Sequence, residues 1–84
     1  MERLWAMRFF LNVRNPTGDV TIDPDGQEFE TLREAEAEAR ATARDLMADA
    51  LRSALPVGWE RVIEIVDETG EIVASVAFET AIIR

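Results

Sequence analysis

Between Thr31 and Ala54 one stripe of small and apolar residues recurs at helical spacing: Leu32, Ala35, Ala39, Ala43, Leu46, Met47, Ala50 and Ala54. A period near 3.6 puts these side chains on a single helical face. Thr31 is placed as an N-cap, with Glu34 three residues on in the capping-box position. Pro56 and Gly58 are expected to stop the helix. Arg33, Glu34, Glu36, Arg40, Arg44 and Asp45 lie mostly off the stripe, and Glu36 with Arg40 has i,i+4 spacing for an ion pair. Alanine at three successive turns leaves that face thin. Such a helix can sit close on a flat surface, and a sheet is the surface that fits.

The flanking segments supply one. Met7, Phe9, Leu11 and Val13 alternate with Arg8, Phe10, Asn12 and Arg14, which predicts a strand. Asn15-Pro16-Thr17-Gly18 is a turn by composition, Val20-Thr21-Ile22 a short second strand, and Asp23-Pro24-Asp25-Gly26 the turn that ends it. After the helix, Trp59–Val66 reads as a third strand with Trp59, Ile63 and Ile65 on one face. Asp67-Glu68-Thr69-Gly70 is a hairpin connection, with Gly70 at the left-handed position of a bulged turn. Ile72–Phe78 is the fourth strand, with Ile72, Ala74, Val76 and Phe78 on one face. The expected fold class is therefore α+β: a four-stranded antiparallel sheet, ββαββ, in the order 2-1-3-4, with one long helix on one face.

Eighty-four residues make a single domain, 1–84, with Met1–Ala6 read as an extension and residues 80–84 as a tail. An apolar fraction of 48% beside 31% charged residues belongs to a globular chain. No cysteine is present, which excludes disulfides, thiolate metal sites and thiol catalysis. The first apolar run is cut by Arg8, too soon for a signal peptide or a membrane span, so no membrane association and a cytoplasmic location are expected. The net charge is −8, and all nine basic residues are arginine. Nucleic-acid binding needs phosphates neutralised by basic side chains, so it is not expected. Arg8 and Arg14 share a strand face, but two arginines are too few.

The residues that carry chemistry are scarce. Without histidine, cysteine, lysine or tyrosine, acid, base and nucleophile roles fall to carboxylates, and Ser53 and Ser75 have no base other than Asp or Glu. The glycines stand apart, so no phosphate loop forms. Asp19, Asp23, Asp25, Glu28 and Glu30 cluster, yet an EF-hand alignment on Gly26 puts Thr21 first and Leu32 last, where Asp and Glu are required. No catalytic residue, cofactor or metal site is expected, and the chain is read as non-enzymatic.

A surface is the better candidate. Phe10, Val62, Val66, Val73 and Ala77 fall on the sheet face that the helix does not cover. A contiguous patch of that kind often marks a contact. A helix of about 23 residues also spans roughly 35 Å, against about 25 Å for the strands, so Leu46, Met47, Leu51 and Leu55 would overhang the sheet. The interface expected from this is built from Phe10, Val62, Val66, Val73, Met47 and Leu51, and it joins two copies into a homodimer. The alternatives are a monomer whose tail residues Ile82 and Ile83 fold back over that surface, and a small acidic regulatory protein that holds a basic or nucleic-acid-binding partner.

Met7-Arg8-Phe9-Phe10, Val13-Arg14, Asp23-x-x-Gly26, Leu32-x-x-Ala35, Ala43-Arg44-Asp45-Leu46, Ile63-Glu64-Ile65, Asp67-Glu68-x-Gly70 and Val76-x-Phe78 follow one another in a set order. Together they resemble a family of small bacterial proteins, abundant in alphaproteobacteria and catalogued only as a domain of unknown function. The resemblance implies the α+β fold and a bacterial cytoplasmic protein. It implies no activity, ligand or site residue. The sequence departs from the family pattern at Leu11-Asn12, where an acidic residue is more usual.

Overall fold

The computed structural model describes residues 6–83, except the Ile83 side chain; residues 1–5, most of the expected extension, and Arg84 lie outside them. Five strands and two helices follow in the order β1 (Met7–Arg14), β2 (Val20–Thr21), β3 (Gln27–Phe29), α1 (Leu32–Arg52), β4 (Val62–Val66), β5 (Ile72–Ala77) and α2 (Phe78–Ile83). The class is α+β, and the sheet is antiparallel in every pairing, in the order β2-β1-β4-β5, with β3 also paired to β1.

The fifth strand corrects the expected count. The chain does not leave the sheet at Asp23. β2 pairs with Val13 and Arg14, and β3 resumes against Met7–Phe9. Between the two ladders, residues 22–26 bulge opposite residues 10–12 of β1. The Asp23 carboxylate fills the interruption. One oxygen accepts the Leu11 N–H at 3.2 Å, and the other accepts the Asp25 and Gly26 N–H groups at 3.3 and 3.1 Å. The Asn12 side-chain carbonyl accepts from Asp23 N in return, at 2.9 Å. Gly26 has a φ of 69°, and a Cβ there would stand 2.8 Å from the Phe10 ring and 2.9 Å from Phe9 O. Both backbone conformation and space demand glycine.

α1 begins where the capping box places it. Thr31 Oγ1 accepts Glu34 N at 3.1 Å, while the Glu34 carboxylate reaches one residue further back, to Glu30 N at 2.9 Å. The far end differs from expectation. Leu55 N donates to Ala50 O and Ala54 N to Leu51 O, the two bonds of a Schellman motif. The helix is therefore closed by Ala54, with a left-handed φ of 59°, before Pro56 is reached. Glu36 and Arg40 form no ion pair.

Ala35, Ala39, Ala43 and Met47 are buried with Phe9, Phe29, Ile63, Ile65, Val76, Phe78 and Ala81. Leu11, Val13 and Ala74 border this core, so the strand faces are those the alternation indicated. Two strand ends are corrected. Trp59 lies in a turn ahead of β4, and Phe78 leaves β5 to open α2. α2 lies along α1, where Arg44 donates to Ala81 O at 3.1 Å. Residues 80–83 of the expected tail are thus part of a helix in the helical layer, and Met47 is buried in the core instead of overhanging.

The two hairpins share one loop geometry. Asn15 N donates to Asp19 O and Gly18 N to Asn15 O; Asp67 N donates to Glu71 O and Gly70 N to Asp67 O. Gly18 and Gly70 take φ values of 99° and 90°. Gly70 is the left-handed residue of the bulged turn, as its spacing indicated.

Candidate functional site

Among the described residues the face of the sheet opposite α1 is bare, and its side chains fall into three rows set by the strand register. Arg14, Val62 and Ala77 stand side by side; then Asn12, Glu64 and Ser75; then Phe10, Val66 and Ile72. A β-bulge at Ile65/Val66 inserts Val73 between the partners of those residues. This corrects Ile72, which alternation alone assigned to the core face: it pairs with Val66 and is 51% exposed.

The residues expected to form the contact separate on this frame. Val62 and Val66 are half-buried and Val73 is exposed, all on the bare face. Phe10 is half-buried too, and its ring lies over Gly26. Leu51 is exposed in the last turn of α1, whereas Met47, one turn earlier, is only 2% exposed and belongs to the core. Met47 therefore cannot contribute to a surface. The centre of the bare face is polar. Arg14 donates to both Glu64 oxygens, at 2.7 and 3.1 Å, which raises the Arg14 pKa through the hydrogen bond first and the charge second. The apolar residues are pushed to either side of this pair, with Val66, Ile72 and Val73 together at the β4–β5 end.

β5 is the edge of the sheet, and among the described residues no strand pairs with its outer side. Its sequence, Ile-Val-Ala-Ser-Val-Ala, carries neither charge nor proline. Edge strands are usually blunted by such residues, because unpaired N–H and C=O groups template further pairing.

The acidic turn has a structural use. Asp23 holds the bulge, Arg8 donates to Asp25 O at 2.8 Å, and Arg8 lies 3.6 Å from the Glu28 carboxylate. Among the described residues no three carboxylates converge as a metal site would require. Arg8 and Arg14, the two arginines of one strand face, are both engaged by acidic neighbours. No described helix is long and apolar enough to cross a membrane.

A concavity escaped the sequence analysis. Trp59 and Glu60, in the turn before β4, face Glu79 and Ile82 of α2 across an open cavity of about 450 Å³. Its only signal in the sequence was Trp59, which the alternation placed inside a strand.

A family described as "Domain of unknown function (DUF6894)" matches residues 8–79, most of the chain. This agrees with the resemblance carried by the motifs. No curated protein and no solved structure matches the chain.

Proposed function

We propose that this chain, which belongs to the DUF6894 family, is a non-enzymatic interaction module that pairs with a second copy of itself, with the bacterial cytoplasm as its setting. The observation that carries this reading is the β4–β5 end of the bare face. Val66, Ile72 and Val73 gather there beside a free strand edge, and β5 is the longest strand without a charge. On a chain of net charge −8, most surfaces of two copies repel each other, and like charges brought together at a contact cost several kcal/mol. The uncharged strand is where that cost is smallest.

Light scattering over a dilution series, at low and high salt, tests the proposal. The expected mass is twice the 9.5 kDa of the chain, unchanged by salt. Replacing Val66 and Val73 together by Asp should return a folded species of 9.5 kDa. A wild-type monomer throughout, or a variant that still dimerises, removes this reading.

A second reading, a small acidic regulatory protein that holds a basic partner, draws support from Glu36, Glu38 and Asp45. These carboxylates of α1 have no ion-pair partner among the described residues. Their contact would weaken steeply with ionic strength, whereas an apolar strand contact would not.

A further inference from the structure

We infer that the cavity between the turn before β4 and α2 is a receptor for an arginine side chain of a protein partner. This site is separate from the β5 edge and does not depend on self-association. Among the described residues its walls are Trp59, Glu60, Glu79 and Ile82. Trp59 and Ile82 are 48% and 49% exposed, whereas Phe9, Phe29 and Phe78 are buried. Glu60 and Glu79 have no hydrogen-bond or ion-pair partner among the described residues.

The cation adjacent in sequence is turned away from those carboxylates. Arg61 lies beside Glu60 in sequence, yet its guanidinium is turned onto the Phe78 ring, 4.5 Å from the centroid, and donates to Val57 O at 2.9 Å. Its Nε is buried without a partner, and a Cβ on Gly58 would stand 2.3 Å from it. Gly58 therefore makes the room that lets Arg61 fold inward. Phe78 N also donates to Arg61 O at 3.0 Å, which ties the two walls of the cavity together at their bases. Among the described residues, the negative charge of the site is left uncompensated.

That combination selects its occupant. A guanidinium is planar, stacks on an indole face and presents a fork of N–H donors to carboxylates, while its methylene stem suits the Ile82 wall. A lysine ammonium is a strongly hydrated point charge and gains less from the indole. A quaternary ammonium calls for several aromatic walls, and among the described residues this cavity has one. The whole chain carries −8, so a basic partner is also steered toward it.

The test follows the Trp59 indole N–H by heteronuclear NMR in a Trp5→Phe background, where its signal is unique. N-acetyl-arginine amide is the probe, and its citrulline counterpart is the uncharged control of the same shape. The arginine probe should give saturable shifts centred on Trp59, Glu60, Glu79 and Ile82, and the citrulline probe none. Glu60→Gln and Glu79→Gln, both at exposed positions, should each weaken binding severalfold, and together at least about tenfold. Equal shifts from citrulline, or an unchanged titration in the double variant, overturn the proposal. So does an Arg84→Ala variant whose Trp59 signal moves in the absence of any probe, because the occupant is then the chain's own arginine.

Discussion

The carboxylate of Asp23 accepts the main-chain N–H of Leu11 at 3.2 Å, in the place where a neighbouring strand would present a carbonyl. β1 thereby keeps its edge bonded across a bulge that would otherwise leave Leu11, Asp25 and Gly26 amides unpaired. The Leu11 and Gly26 amides are part-buried, and such a group costs on the order of 1–3 kcal/mol when its acceptor is removed. Asp23→Ala should therefore destabilise the fold by about 2 kcal/mol. Urea denaturation measures the loss, and hydrogen exchange at Leu11 and Gly26 should accelerate first. Unchanged protection at both amides would refute this account of the bulge.

Gly26 and Gly18 should respond differently to the same substitution. Both have positive φ, so alanine at either brings backbone strain of roughly 1–2 kcal/mol. Gly18 has nothing within 4 Å of a built Cβ, whereas at Gly26 it meets the Phe10 ring and the Phe9 carbonyl. Gly26→Ala should cost about 1–3 kcal/mol more than Gly18→Ala. Equal denaturation midpoints for the two variants would show that Phe10 moves aside freely.

Ala54 offers the opposite change. It closes α1 at a φ of 59°, in a motif whose left-handed position is usually glycine. Ala54→Gly should stabilise the protein by about 1 kcal/mol, read as a rise in the denaturation midpoint with an unchanged slope.

Asp67 sets a pH dependence. The Thr69 hydroxyl, and after it the main-chain amide of Glu71, hold this carboxyl below its ordinary value of 3.8. A group whose folded pKa is depressed stabilises the fold above its unfolded pKa. That contribution is lost as pH falls through the folded value. The stability gap between wild type and Asp67→Asn should thus be full at neutral pH and shrink below about pH 4. A gap that is constant from pH 7 to pH 2 would contradict it.

Legibility followed the range of the interactions. The Asp67–Gly70 turn could be read because its bonds join residues at most four apart. The same holds for the Thr31 cap and for the inward set Phe9, Leu11, Val13, Ile63 and Ile65. Phe78 could not be read. Its alternation continues β5, but its N–H is taken by Arg61 O and its ring by the Arg61 guanidinium, 17 residues earlier in the chain. Ile72 was misassigned for a related reason, since a bulge one residue long exchanges the faces of everything before it. Of the expected contact, Val62, Val66 and Val73 do lie on the bare face, whereas Met47 lies in the core.

Composition and period by themselves determined the class of this protein, the faces of its main strands, the start of its long helix and the absence of the usual catalytic side chains. Those properties rest on steric preference and on bonds between near neighbours. Tertiary structure alone decided that the edge strand resumes after Asp23, that Phe78–Ile83 becomes a second helix, and that Trp59 faces two carboxylates with no cation paired to them among the described residues. Each of these depends on groups far apart in sequence competing for the same donors, acceptors and space, and that competition is resolved only when the chain has closed on itself.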